Sequence, residues 1–227
     1  MTHPQGKPDS LPLLVLAAGR SLRMGQPKPL LLWRGATLLQ HACQAARAGG
    51  ADPIVVVAQD PHWLRQRAGD VGEVQWVSCP TAARGQSESL RTGLGAARSD
   101  SPQARAVLVT LVDQVGLEPQ AVRRVMAATA ERDADAWVAD YGDQRSVPGH
   151  PVALGPPTWP LVDRLRGDIG ARDILQGLGA RLSWVALPSE WRPFACNTPD
   201  DYRRLLAQEL SYHRPDQRSD SPGEVPE

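Results

Sequence analysis

Residues 13–32 read LLVLAAGRSLRMGQPKPLLL, and this stretch decides the fold class. A short apolar run, Leu13-Leu14-Val15-Leu16, stops at Ala17-Ala18-Gly19, and a polar loop with Arg20, Ser21, Arg23, Gly25 and Lys28 follows. Four apolar residues bounded by a glycine predict a strand buried on both faces. Small residues at its C-terminal end let a ligand lie against bare backbone, which a larger side chain would block. Two arginines and a lysine then supply positive charge, a combination that suits a polyphosphate. The spacing is not that of the commonest phosphate loops. Gly19 and Gly25 have five residues between them, Lys28 comes three after the second glycine, and no G-x-G-x-x-G is present.

Working outward, Leu38, Leu39, Ala42, Cys43 and Ala46 recur at helical spacing, and Gly49-Gly50 closes that helix. Cys43 falls on the apolar stripe and reads as core, not nucleophile. Residues 54–58 form a second buried strand. Asp60-Pro61 opens a short helix to about residue 68, and residues 74–77 form a third strand. This alternation predicts a parallel sheet with helices on both faces, binding ligands beyond the carboxyl ends of its strands.

Leu90, Leu94 and Ala97 mark the next helix, with Gln86 to Ser89 as its first turn and Ser87 as an ordinary cap. Residues 106–112, AVLVTLV, are the strongest apolar strand, and they end in Asp113-Gln114. A carboxylate at the end of a central strand needs a partner. Beside a phosphate site it would repel the ligand unless a divalent cation such as Mg2+ bridged them.

A helix over 118–132, a strand at 136–139, a polar loop at 140–149, a short helix within 156–166 and a late strand at 182–187 continue the pattern. Ile169, Ile174, Leu175 and Leu178 are expected to bury one helix face, with Asp168 as N-cap. Thr198-Pro199-Asp200-Asp201 is a well-defined helix start, with Thr198 the cap and Asp201 its reciprocal partner. Tyr202, Leu205, Leu206 and Leu210 form that helix's inner face.

The chain has 227 residues, 41% of them apolar, enough for one large α/β domain or two small ones. Lys+Arg and Asp+Glu number 25 each, so no global basic field points to a nucleic-acid partner. Cys43, Cys79 and Cys196 are odd in number and widely spaced, which fits a reducing cytoplasm better than a disulfide framework or a zinc site. The N-terminal residues lack an apolar signal core, and no run approaches the roughly 18 residues of a membrane span. A soluble cytoplasmic protein without a membrane partner is expected. Residues 1–10 and 211–227 are polar and proline-rich, and are expected to be disordered.

Ala17-Ala18-Gly19-x-Ser21-x-Arg23-Met24-Gly25-x-x-Lys28-x-Leu30 resembles the signature loop of the MobA-like nucleotidyltransferases, typified by the molybdenum cofactor cytidylyl- and guanylyltransferases. Gly85-Gln86-Ser87-x-Ser89-Leu90-Arg91-x-Gly93-Leu94 is similar to the family segment beside the base and ribose, where free N–H groups and hydroxyls could bond a pyrimidine edge. Asp113-Gln114 resembles the family's metal-binding segment, with Val112 in place of the usual Gly and Val115-Gly116 where Pro is expected. Gly149-His150-Pro151-Val152 resembles a segment on the acceptor side. Gly167-Asp168-x-Gly170-Ala171-Arg172 is similar to the cytidylyl branch, and Asn197-Thr198-Pro199 to the segment carrying a second metal ligand. The resemblance covers residues 11–210.

It implies a Rossmann-like three-layer α/β/α fold with a mostly parallel sheet, of the nucleotide-diphospho-sugar transferase kind. It further implies one domain over 11–210, with a nucleotide-binding part at 11–115 and an acceptor-binding part at 116–210. The implied reaction moves CMP from CTP to the phosphate of the molybdenum cofactor, molybdopterin, and releases pyrophosphate. A guanylyltransferase, a sugar- or alcohol-phosphate nucleotidyltransferase and a non-catalytic cofactor carrier are the alternatives. Arg23, Lys28 and Asp113 are the implied catalytic residues. Leu16, Ala17, Ala18, Gly19, Arg23, Lys28, Gln86, Ser87 and Ser89 are implied for the nucleotide. Asp113 and Asn197 are implied for Mg2+. His150 falls on the acceptor side or is simply a turn residue, and Arg172 either clamps the acceptor or pairs with Asp168. Ala18, where the guanylyl branch tends to have Gly, points to cytidine. Small-molecule substrates are the expected partners, with a molybdoenzyme or maturation factor receiving the product.

Overall fold

The computed structural model describes residues 10–142 and 147–212. The N-terminal residues up to 9, the tail beyond 212 and residues 143–146 of the expected polar loop lie outside the described residues, as does the side chain of Leu210. In chain order the elements are β1 (Leu13–Leu16), β2 (Leu32–Trp33), β3 (Ala36–Thr37), α1 (Leu38–Ala48), β4 (Ile54–Ala58), α2 (Pro61–Arg65) and β5 (Gln75–Ser78). There follow α3 (Gln86–Asp100), β6 (Val107–Leu111), β7 (Gln114–Val115), α4 (Pro119–Glu131), β8 (Ala136–Asp140) and β9 (Gly149–Leu154). The remainder are α5 (Trp159–Arg164), α6 (Ala171–Gly177), β10 (Leu182–Ala186), β11 (Phe194–Ala195) and α7 (Pro199–Tyr212).

Seven strands form the central sheet in the order β10-β8-β9-β6-β1-β4-β5. Every neighbouring pair is parallel except those of β9, which runs antiparallel to both β6 and β8. Side chains alternate across each strand, so β1 feeds two cores. Leu13 and Val15 join the helices α1, α2, α4 and α7 on one face. Leu14 and Leu16 join α3, α5 and α6 on the other. The result is a Rossmann-like three-layer α/β/α architecture: helices cover both faces as the strand–helix alternation predicts, and the sheet is mostly parallel as the resemblance implies.

The helix starts follow their sequence signals. Thr37 and Gln40 form a capping box on α1, and Asp60 accepts from the Trp63 N–H at the start of α2. Thr198 and Asp201 form the reciprocal pair on α7: the Asp201 N–H donates to the Thr198 hydroxyl at 3.2 Å, and the Thr198 N–H donates to the Asp201 carboxylate at 2.8 Å. On the inner face of α7, Leu205 is buried, and Tyr202 donates its hydroxyl to the Leu32 carbonyl at 2.7 Å.

Five local expectations are corrected. The helix after Asp60 ends at Arg65, three residues early. Residues 149–154 form β9 although Pro151 lacks an N–H; a register irregularity at Val138/Ala139 absorbs it, and the ladder to β6 stops at Val152. Ser87 does not cap α3, whose N-cap is Gly85. Asp168 does not cap α6, whose N-cap is Gly170, and Ile169 stays 40% exposed instead of joining the buried face.

Candidate active site

The chain from β1 runs to β4 and β5 on one side, then returns to place β6 on the other side of β1. Between the carboxyl ends of β1 and β6 the strand order reverses, the place where open α/β sheets bind ligands. A cleft of about 570 Å³ opens there. Its floor is Leu16, Ala17, Ala18 and Gly19 from the end of β1, with Leu111, Val112 and Asp113 from the end of β6. Arg20, Arg23 and Lys28 line one wall, and Ala82 to Gln86 with Ser89 line the other.

The loop after β1 is shaped by its own hydrogen bonds. Ser21 sits at φ 52°, in the left-handed region, and its carbonyl accepts the N–H groups of Met24 and Gly25. Gly25 follows at φ 72°, which glycine adopts at little steric cost. Met24 is buried and pins the loop to the core, while Arg20 and Arg23 stay exposed at the cleft. The Ser21 hydroxyl accepts the backbone N–H of Lys28 at 3.0 Å and fixes where that side chain begins.

At the bottom of the cleft three side chains meet. The Lys28 ammonium donates to Asp113 Oδ2 at 2.7 Å and to Asn197 Oδ1 at 3.0 Å. Asn197 is carried there by a short antiparallel ladder in which β11 pairs with β7, extended by the Cys196 N–H donating to the Asp113 carbonyl at 2.9 Å. Asp201 accepts the Asn197 N–H at 3.0 Å, so the cap of α7 also orients this residue. Asp113 Oδ1 is buried and accepts no hydrogen bond among the described residues. A buried carboxylate oxygen with free lone pairs, next to an amide oxygen, is the hard donor set a divalent cation takes. The residues present therefore fit such an ion. Among the described residues no group of three His, Cys, Asp or Glu gathers, so water and phosphate oxygens would have to complete its shell.

The opposite wall is joined differently. Gly85 has φ 132°, and a Cβ there would meet the backbone carbon and oxygen of Gly167 at 2.1 Å. The Ser87 hydroxyl and N–H both donate to the Gly167 carbonyl, at 2.8 and 3.3 Å. The Gln86 N–H donates to Asp168 at 3.3 Å. Two of the first-turn N–H groups of α3 expected to be open to a base, those of Gln86 and Ser87, are thus committed to the loop at 167–168. Ser87 is fully buried outside the cleft, whereas Gln86 and Ser89 line it. Glu88 holds the preceding turn by accepting from the Thr81 hydroxyl at 2.9 Å and from Arg91 at 2.6 Å. Those two donors, Thr81 first, hold its carboxyl below the usual range.

His150 and Arg172 do not line the cleft. His150 lies in β9, with Nδ1 3.3 Å from the Val109 carbonyl, and its ring is within electrostatic reach of Asp113 and Arg172. Burial pushes its pKa below the ordinary value, against that hydrogen bond and the carboxylate. Arg172 is exposed on α6, and no ion pair joins it to Asp168 among the described residues. Sequence reasoning gave no site role to Ser21, Arg84 or Asp168. Ser21 and Arg84 stand inside or beside the quoted motifs, and Asp168 was read as a cap. Cys43 is core, as its place on the stripe implied: burial pushes its thiol up to about 12. All three cysteines are free and buried. No described helix is long and apolar enough to cross a membrane.

A family model described as the MobA-like NTP transferase domain matches residues 13–183. A probable molybdenum cofactor guanylyltransferase of Opitutus terrae is 30% identical over 207 residues, 84% of this chain and 92% of that protein. The nicotine blue oxidoreductase of Paenarthrobacter nicotinovorans is 29% identical over 167 residues, covering 72% and 80%. The bifunctional IspD/IspF enzyme of Erythrobacter litoralis is much longer, and this chain spans only 29% of its length. Among solved structures, the Rv0371c protein of Mycobacterium tuberculosis in complex with manganese superposes with a TM-score of 0.70 at 27% identity, over 87% of this chain and 98% of that one.

Proposed function

We propose that this chain, which belongs to the MobA-like NTP transferase family, transfers a nucleoside monophosphate from a nucleoside triphosphate to the terminal phosphate of molybdopterin and releases pyrophosphate. One observation carries the reading: Lys28, Asp113 and Asn197 meet at the strand ends, in a cleft that Arg20 and Arg23 also line. Few groups of the protein take part covalently in such a reaction. Its residues place two anions in line and offset the charge that builds on the leaving group.

Arg20, Arg23 and Lys28 hold the β- and γ-phosphates, and the bare backbone at Ala17 to Gly19 lets the phosphates approach closely. Asp113 and Asn197 hold a divalent cation, which when bound neutralises phosphate charge and aligns the reacting oxygens. The manganese complex of the structural relative supports a divalent ion at this kind of site. Gln86 and Ser89 face the base and ribose, while Ser87 supports them from behind. The acceptor reaches Asp113 from the side of His150, whose ring stands within electrostatic reach of both Asp113 and Arg172. No general base is needed, since an acceptor phosphate is already an anion near neutral pH. His150, pushed by burial toward its neutral form, agrees with a positioning role.

Cytidine is the nucleotide we favour. Ala18 stands at the cleft floor, where the guanylyl branch tends to have Gly, and Gly167-Asp168-x-Gly170-Ala171-Arg172 follows the cytidylyl pattern. The Opitutus terrae relative bears the name guanylyltransferase, so the nucleotide is the point to test. Pyrophosphate release measured with CTP, GTP, UTP and ATP, each with molybdenum cofactor, should be fastest with CTP. Release with GTP alone would replace cytidine by guanosine, and release with none would remove the activity.

A further inference from the structure

Resting on the reading above, we propose that Lys28 is the resident counterion of the cation site: without nucleotide, its ammonium bridges the two oxygen donors that a divalent ion needs and holds free metal off until a triphosphate draws it away. The geometry is direct. One nitrogen lies 2.7 Å from Asp113 Oδ2 and 3.0 Å from Asn197 Oδ1, so it spans both donors at once. The Lys28 and Asp113 side chains are only 13% and 14% exposed, so water screens the pair weakly. A carboxylate this enclosed is costly without a cation, and the Lys28 ammonium supplies one.

The same side chain is placed to leave. Its backbone is fixed by Ser21 and by the short 3-10 turn Lys28–Leu30, in which Pro29 is buried. The stem is flexible, and an ammonium has three donors, of which these bonds use two. Lys28 also lines the cleft beside Arg20 and Arg23, where phosphate oxygens compete for it. With the lysine in place, a divalent ion would have to settle against a positive charge at contact distance. Once a triphosphate accepts the lysine, Asp113 and Asn197 are released together, and Asp113 Oδ1, buried and without a hydrogen bond, is ready as a further donor. Metal thus loads with or after the nucleotide, never ahead of it.

The test is Mn2+ binding to the nucleotide-free protein, followed by electron paramagnetic resonance, with no turnover required. Wild-type protein should bind Mn2+ weakly. Lys28→Gln and Lys28→Ala should each bind it about ten-fold or more tightly, because a contact-distance repulsion has been removed. Adding Asp113→Asn to either variant should abolish the gain, which locates it at this site. Should one variant fail to fold, the other carries the comparison. Should both fail, the wild-type titration decides alone: tight Mn2+ binding that Asp113→Asn removes overturns the proposal, and weak binding supports it. Equal or weaker binding by the variants also overturns it. The nucleotide panel reads the transfer activity independently, so the two ideas can fail separately.

Discussion

On one side of the cleft, Lys28, Asp113 and Asn197 are held to each other by charge and side-chain hydrogen bonds. On the other, Gly85 and Ser87 meet Gly167 through backbone contact and polar bonds, with no ion pair at the join among the described residues. The first region is built from flexible side chains on fixed backbone, so its state can change when a charged ligand arrives. The second is built from backbone atoms at contact, so it holds a shape. Cationic side chains that can exchange acceptors suit a triphosphate that comes and goes. A rigid wall suits discrimination of a base, which depends on where a few donors and acceptors stand.

If this contrast is right, substitutions on the two sides should separate activity from stability. The largest effect is expected for Asp113→Ala, which should lower nucleotidyl transfer by about 1000-fold while the thermal unfolding midpoint moves little. Near-normal turnover would take Asp113 out of the reaction. Next is Gly85→Ala. The backbone conformation disfavours any side chain, and its Cβ would collide with the Gly167 backbone, so a loss of about 3 kcal/mol is expected in denaturant melts. KM for the nucleotide should rise with it. An unchanged melting midpoint would show that the 85–89 wall tolerates reshaping, and the contrast between the walls would fall.

Ser87→Ala is the milder probe of the same wall. It removes the hydroxyl donor to the Gly167 carbonyl but keeps the backbone contact, and should cost about 1 kcal/mol. A loss of activity without loss of stability would instead place the Ser87 hydroxyl on the nucleotide.

The smallest effect concerns His150. Burial lowers its pKa in the folded state, so below the ordinary value of 6.5 the unfolded chain binds the proton more readily. Stability from this group is therefore complete above that value, and is lost as pH falls from there toward the folded pKa. Wild-type protein should lose more melting temperature than His150→Asn between pH 7 and pH 5, a difference of about a few degrees at most. Parallel curves for the two proteins would show that His150 does not drive the acid sensitivity.

Much of this was legible in the residues. The strands at 13–16 and 54–58 are uninterrupted apolar runs, and such runs have few other ways to be buried. The capping pair at Thr198 and Asp201 is a local geometry that four consecutive residues specify. The β9 strand was not legible, because Pro151 weakens any local strand signal and only the register irregularity opposite it makes room. Ile169 misled for a related reason. An apolar residue two positions before the next helix reads as core, but the loop is pulled toward α3 by Gly167 and Asp168 and leaves it exposed.

The sequence by itself determined the layered α/β class and the phosphate-suited loop after β1, and it offered Lys28 and Asp113 as candidates from adjacent residues and Asn197 from the family resemblance. Only the tertiary structure decided that these three touch. Lys28 lies 85 residues from Asp113 and 169 from Asn197 along the chain, and the β7–β11 ladder brings the last of them in. It also decided that the Gln86 and Ser87 N–H groups close a wall, because their partners at 167 and 168 come from the other half of the chain. Local patterns specify backbone shape, whereas the pairing of distant polar groups is settled only when the sheet sets their strands side by side.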